Sequence, residues 1–135
     1  MKVNTRIRYG LRMVTGIAIH GGIVNAATLG AEMRVSAKYL RKLAGPLEKA
    51  GIIASEKGLY GGYTLGKPAQ AITLEMIMGA YNERIVGAAC LNGKSCELQS
   101  ECLMRPVWQK LQQKIDGFFS ATTIADIIGN SKESS

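Results

Sequence analysis

The chain has 135 residues, 47% of them hydrophobic and only 6% aromatic, with a net charge of +7. That length suits one domain with an added helix and an aliphatic core. No apolar run approaches the roughly 20 residues of a membrane span, and the basic start "MKVNTRIRYGLRM" is not followed by an apolar stretch and cleavage site, so no signal peptide is expected and the protein is placed in the cytoplasm.

The charge is uneven. Residues 1–67 hold eleven Lys/Arg and three Glu, whereas residues 68–135 hold six Lys/Arg and seven Asp/Glu. A basic half joined to a near-neutral half points to a polyanion-binding face on the first and a different task for the second.

Ile7, Leu11, Val14 and Ala18 recur on one helical face, with Arg6, Arg8 and Arg12 off it. The glycines of "HGGIVN" stop this helix. Asn25 caps a second, short helix, "AATLGAEM". A break at "MRV" leads to Ser36, which caps a third helix, "AKYLRKLAGPLEKAG". Leu40, Leu43 and Leu47 form its buried stripe, and Lys38, Arg41, Lys42 and Lys49 its outer side. Two short helices joined tightly, the second cationic, make a helix-turn-helix. Pro46 predicts a kink or restart near Gly45.

Ile52–Ser55 and Tyr63–Leu65 then read as two strands around Gly58, Gly61 and Gly62, with Lys57 near the tip. A glycine-rich hairpin after a basic helix is the wing of a winged helix, suited to laying a cation on phosphates or in the minor groove. After a proline-containing linker, Thr73 caps a helix that buries Leu74, Ile77, Met78 and Tyr81. A last long helix repeats Val107, Leu111, Ile115 and Phe118, with Met104, Trp108 and Phe119 alongside. Pairing with the same helix of a second chain would bury that face. "IADII" reads as a final turn packing back, and residues 129–135 as a disordered tail.

The expected fold is mostly α with a small β-hairpin. A winged helix-turn-helix domain spans 1–67, and a linker helix, a cysteine loop and a dimerisation helix span 68–128. The DNA-facing set is Lys38, Tyr39, Arg41 and Lys42 in or beside the major groove, Ser36 on a phosphate, Lys57 on the wing and Arg8 of the first helix. No phosphate loop, nucleophile constellation or acid–base pair stands out, so an enzyme is not expected. His20, among glycines, reads as a surface or capping group.

All three cysteines fall in "CLNGKSCELQSEC", at Cys90, Cys96 and Cys102. An odd number in a reducing compartment argues against a disulfide framework. Polar neighbours place them in a loop. Three equally spaced thiols fit metal binding or redox sensing. The paired C-x2-C of a zinc ribbon and a nearby histidine are both lacking.

"TRIRYGLRM", "SAKYLRKL", "GLYGGYTLGKP", "ITLEMI" and C-x5-C-x5-C before a long helix together resemble the IscR/NsrR/RirA-type bacterial regulators, over about residues 1–128. The resemblance implies a homodimeric winged-helix transcription factor, such as a repressor, acting on double-stranded promoter DNA. It implies a dimer interface on the helix after the cysteine loop, and a 2Fe–2S or 4Fe–4S cluster on Cys90, Cys96 and Cys102 that sets DNA affinity.

Two positions depart from the family pattern. Arg105 stands where one branch carries a histidine ligand. No acid precedes Glu32, so Arg8 and Arg12 replace the N-terminal acid of another branch. The fourth ligand is left open among Glu101, a backbone group, water and a small thiol. Many members carry an acid near Arg41, where arginine instead favours guanine O6/N7 or a phosphate. Two alternatives stand beside this reading: a cluster-free regulator using the thiols as a redox switch or controlled by a partner protein, and, more distantly, a small iron–sulfur electron carrier.

Overall fold

Short polar side chains open the helices where the sequence marks them. A computed structural model describes residues 3–86 and 103–133. Helix α1 (Thr5–His20) starts at Asn4, whose side chain accepts from the Ile7 N–H at 2.8 Å. Asn25 accepts from Thr28 N–H at 2.7 Å to open α2 (Ala26–Met33). Ser36 accepts from Tyr39 N–H at 3.1 Å to open α3 (Ala37–Lys49). Thr73 accepts from Met76 N–H at 3.2 Å to open α4 (Leu74–Ala80). Each such cap contributes about 1 kcal/mol. Helix α5 (Arg105–Ala121) carries Pro106 in its first turn, where a missing N–H does no harm. Before α6 (Ile124–Glu133), Thr123 and Asp126 cap reciprocally. The Thr123 N–H donates to the Asp126 carboxylate at 2.9 Å, and the Asp126 N–H donates to the Thr123 hydroxyl at 3.1 Å.

The hairpin pairs β1 (Ile53–Glu56) with β2 (Gly62–Leu65), antiparallel, with Ile53 opposite Leu65 and Glu56 opposite Gly62. β1 runs one residue later than the expected Ile52–Ser55, and β2 begins one residue before the expected Tyr63, since Gly62 pairs with Glu56. Tyr63 also exchanges backbone hydrogen bonds with Val24, at 2.9 and 2.8 Å, which ties the wing to the start of the helix-turn-helix. A Cβ on Gly62 would lie 2.2 Å from the Val24 carbonyl oxygen, so only glycine allows this approach.

One continuous core joins Met13, Val14 and Ile17 of α1, Leu29 of α2, Leu40, Leu43 and Leu47 of α3, Ile52 and Ile53 of the wing, Ile77 and Tyr81 around α4, and Ile124 of α6. It crosses residue 67 without a break. Tyr81 is central. Its hydroxyl donates to the Leu43 carbonyl at 2.8 Å, and its ring lies so close to α1 that a Cβ on Gly10 would be 2.5 Å from it. A smaller cluster, Ile7, Met78, Ile85 and Ile115, seats α5 on α1 and α4. Among the described residues no helix is long and apolar enough to cross a membrane.

Four expectations are corrected. Helix α1 buries Ile7, Gly10, Met13, Val14 and Ile17, while Leu11 and Ala18 are half-buried, because the face turns toward the gap that Gly10 leaves for Tyr81. Helix α3 runs unbroken through Pro46. Leu43, Ala44 and Leu47 are buried on either side of it, and the carbonyl deprived of its donor belongs to exposed Lys42. Helix α6 extends to Glu133 where a disordered tail from residue 129 was expected; Ile124 is in the core, with Ile127 and Ile128 packed against it. Finally, Ile115 faces its own chain instead of a partner.

Candidate nucleic-acid interface and cysteine-loop stem

Helix α3 divides cleanly. Leu40, Leu43, Ala44 and Leu47 are buried, and Lys38, Arg41, Lys42 and Lys49 form an exposed stripe on the other side. Gly45 lies within that stripe with nothing near its Cβ position, leaving the centre of the cationic face open. No acid occupies the first turn. Such a face can meet phosphates and base edges together.

Other residues of the expected set take more specific places. Tyr39 is half-buried, its ring edge-on to Tyr9 at 5.8 Å, and the Arg12 guanidinium lies 5.6 Å from the Tyr9 ring. Tyr39 is therefore a strut between α3 and α1. Ser36 uses its oxygen as the helix cap, which leaves its hydroxyl proton available to donate. Arg8 is exposed and, with Tyr9, Leu11 and Arg12, lines a cleft of about 370 Å³. Lys57 is exposed on the wing.

Two arginines take places that the sequence reading did not give them. Arg34 closes α2 in the left-handed region (φ 57°), its N–H donating to the Ala31 and Gly30 carbonyls; this places an exposed cation in the turn before α3. Its position in the "MRV" break was the available signal. Arg6, grouped with Arg8 and Arg12, instead donates to the Tyr81 carbonyl at 2.8 Å and pairs with Glu83 at 3.0 Å. Nothing in the local sequence connects these partners. His20 lies 3.0 Å from both oxygens of Glu32, a hydrogen-bonding surface group between α1 and α2.

The first strand of the wing packs against α3. Burial pushes the Tyr63 hydroxyl above its ordinary range; nearby Glu48 pushes the same way and Arg41 opposes it.

Cys90, Cys96 and Cys102 lie outside the described residues, and among the described residues no group of His, Cys, Asp and Glu could hold a metal. The stem of the cysteine segment is described. The Ile85 carbonyl accepts from the Gln112 side chain at 2.9 Å, and the same amide donates to Asp116 at 3.0 Å. Arg84 donates to Asp116 at 2.8 Å. That hydrogen bond holds the Asp116 carboxyl below its usual range against the opposing effect of burial, with Gln112 helping. The segment that follows α4, at Arg84 and Ile85, is thereby pinned to α5.

Helix α5 carries two apolar stripes. Ile115, Trp108 and Phe119 turn inward or are half-buried, whereas Val107, Leu111 and Phe118 are 49%, 38% and 59% exposed. With Leu103 and Met104 they form an apolar strip that is exposed among the described residues.

A family model described as an iron-dependent transcriptional regulator, Rrf2, matches residues 3–130. The chain is 30% identical over 132 residues to the HTH-type transcriptional regulator IscR of Yersinia pseudotuberculosis, covering 96% of this chain and 80% of that protein. Its fold is similar to that of CymR, the global cysteine regulator of B. subtilis, with a TM-score of 0.83, 27% identity, and 96% and 98% of the two chains covered. It is also similar to T. potens IscR, with a TM-score of 0.77, 26% identity, and 100% and 91% covered. The α3 cationic face, the wing and the match over nearly the whole chain converge: this protein belongs to the Rrf2 family of winged-helix, DNA-binding transcriptional regulators, which are not enzymes.

Proposed function

We propose that the chain is a cytoplasmic homodimeric regulator whose affinity for promoter DNA is set by an iron–sulfur cluster held by Cys90, Cys96 and Cys102. The observation that carries this reading is the stem. The cysteine segment follows Ile85, beyond the end of α4, where Gln112 holds the Ile85 carbonyl on α5, and the chain returns at Arg105, the first residue of the same helix. On a rise of about 1.5 Å per residue these two points of α5 are roughly 10 Å apart. Residues 87–102 are far longer than that gap needs, so their length allows three sulfurs to converge.

The donor set fits the group. Three soft thiolates suit iron–sulfur ligation, and the single histidine is engaged with Glu32 at the far end of α1. A bound cluster would supply a centre that changes with oxygen, nitric oxide or iron supply. The chain's own residues transmit the change. The Arg84–Asp116 and Gln112–Ile85 bonds couple the stem to α5, and the Val107, Leu111 and Phe118 strip of α5 packs on a second copy. Movement there alters the spacing of the two α3 helices. Lys38, Arg41 and Lys42 then face the major groove, Ser36 donates to a phosphate, Arg8 adds charge, and Lys57 serves the wing.

Anaerobic purification should give a coloured protein containing iron and sulfide. Replacing Cys90, Cys96 and Cys102 by serine should remove the colour and make promoter affinity independent of oxygen. A colourless wild type without iron sinks the cluster reading.

A second reading is favoured by the likeness to a cysteine regulator: the thiols form a redox switch or answer to a partner protein, without a cluster. It predicts loss of two titratable thiols after mild oxidation with no change in metal content.

A further inference from the structure

The tip of the wing is apolar. Leu59 and Tyr60, between Gly58 and Gly61, are each 89% exposed. The turn that carries them is closed by a 3.1 Å hydrogen bond from the Gly61 N–H to the Gly58 carbonyl, and a Cβ on Gly61 would lie 2.1 Å from the Glu56 carbonyl oxygen. At its root the hairpin is locked by the Tyr63–Val24 pair, and its first strand packs against α3, the helix that carries the cationic stripe. Two large apolar side chains are therefore held on a narrow projection, beside the cation of Lys57 and in a fixed relation to the cationic helix.

We propose that Leu59 and Tyr60 act as a wedge in the DNA minor groove next to the site faced by α3, opening a base step and bending the duplex. Continuity with the cationic α3 face selects DNA over a protein partner as the occupant. The minor groove, about 6 Å wide, accepts a narrow turn but not a helix, and apolar side chains are what part base steps there. Lys57 supplies a separate phosphate contact beside the tip. The inference deepens the DNA-facing assignment of α3 and the wing and rests on it; it is independent of any cluster.

The test uses the full chain and a duplex that the wild type enriches from a random-sequence pool. Bending is read by energy transfer between end labels, and affinity at several salt concentrations. Because neither side chain packs on the core, Leu59→Ser with Tyr60→Ser should leave the unfolding midpoint unchanged. The double variant should bind roughly tenfold more weakly and lose the bend, while the salt dependence, which counts phosphate contacts, stays the same. Lys57→Ala should do the reverse, keeping the bend and flattening the salt dependence. A straight wild-type complex, or an equal bend in the double variant, overturns the wedge. Unchanged DNA behaviour with altered sedimentation would overturn it too and assign the tip to a protein contact. If the wild type enriches no duplex, the DNA-facing assignment fails first.

Discussion

Tyr81, at the end of α4, ties two other helices together from one position. Its ring fills the space left by Gly10 of α1, its hydroxyl donates to Leu43 of α3, and its own carbonyl holds Arg6. Burial pushes the hydroxyl far above its ordinary pKa, so it stays a donor throughout the working pH range. Tyr81→Phe should lower unfolding stability by about 1 kcal/mol, the worth of one buried hydrogen bond. Gly10→Ala should lower it by about 1–3 kcal/mol through overpacking. Denaturant midpoints at constant slope would measure both. Asp116 behaves differently because it is partly exposed. The folded chain binds its proton less tightly than the unfolded chain does. The stability it adds is therefore full above the ordinary aspartate value near about 3.9 and is lost as pH falls through the lower folded value. An NMR titration should find its midpoint below that of a free aspartate, and Arg84→Ala should raise it. None of these pairings was legible beforehand: Tyr81 was visible as a core residue, but Arg6–Glu83 and Arg84–Asp116 join positions 77 and 32 residues apart.

Among the elements, α3 was the most legible. Its cap at Ser36, its leucine stripe and its cationic stripe are all local, and each takes its expected place. Arg41 sits mid-stripe, where arginine can bond guanine in bidentate fashion. Arg41→Ala should cost about 1–3 kcal/mol of specific affinity and relax base preference at one position. Lys49→Ala, at the end of the helix, should weaken binding to all sequences alike and reduce the salt slope by about 1. Gel shifts at several salt concentrations would separate the two. Helix α5 shows the opposite case. Its apolar residues span more of the surface than one neighbour covers, and periodicity alone cannot divide them. Packing does so, giving Ile115 to the chain's own second cluster and leaving Val107, Leu111 and Phe118 outside. Helix α1 was likewise read with its face displaced, because a glycine carries no hydrophobic signal even where it forms the contact.

For the whole molecule, the consequential feature is that the helix-turn-helix does not close its own core. Ile72, Leu74, Ile77, Tyr81 and Ile124, all beyond residue 67, complete it. A chain truncated after residue 67 should therefore lack cooperative thermal unfolding, while the complete chain shows one transition followed by the same midpoint in far-UV and near-UV circular dichroism. A cooperative, DNA-binding 1–67 fragment would contradict this. The same sharing joins α4 to α3, since Ile77 and Tyr81 pack in the core that holds α3 in place.

Residue order by itself determined the local devices of this protein: the polar helix caps, the cationic outer side of α3, the glycine-hinged wing and the grouping of three thiols between two helices. Each depends on neighbours within a turn or a hairpin, where the physics is short-ranged. Tertiary structure decided what those devices work against. It chose the buried side of α1 and α5, carried α3 through Pro46, folded the expected tail into α6 and diverted Arg6 to hold the end of α4. Those outcomes depend on close packing between segments far apart in the chain, where the space left by one residue selects the orientation of another.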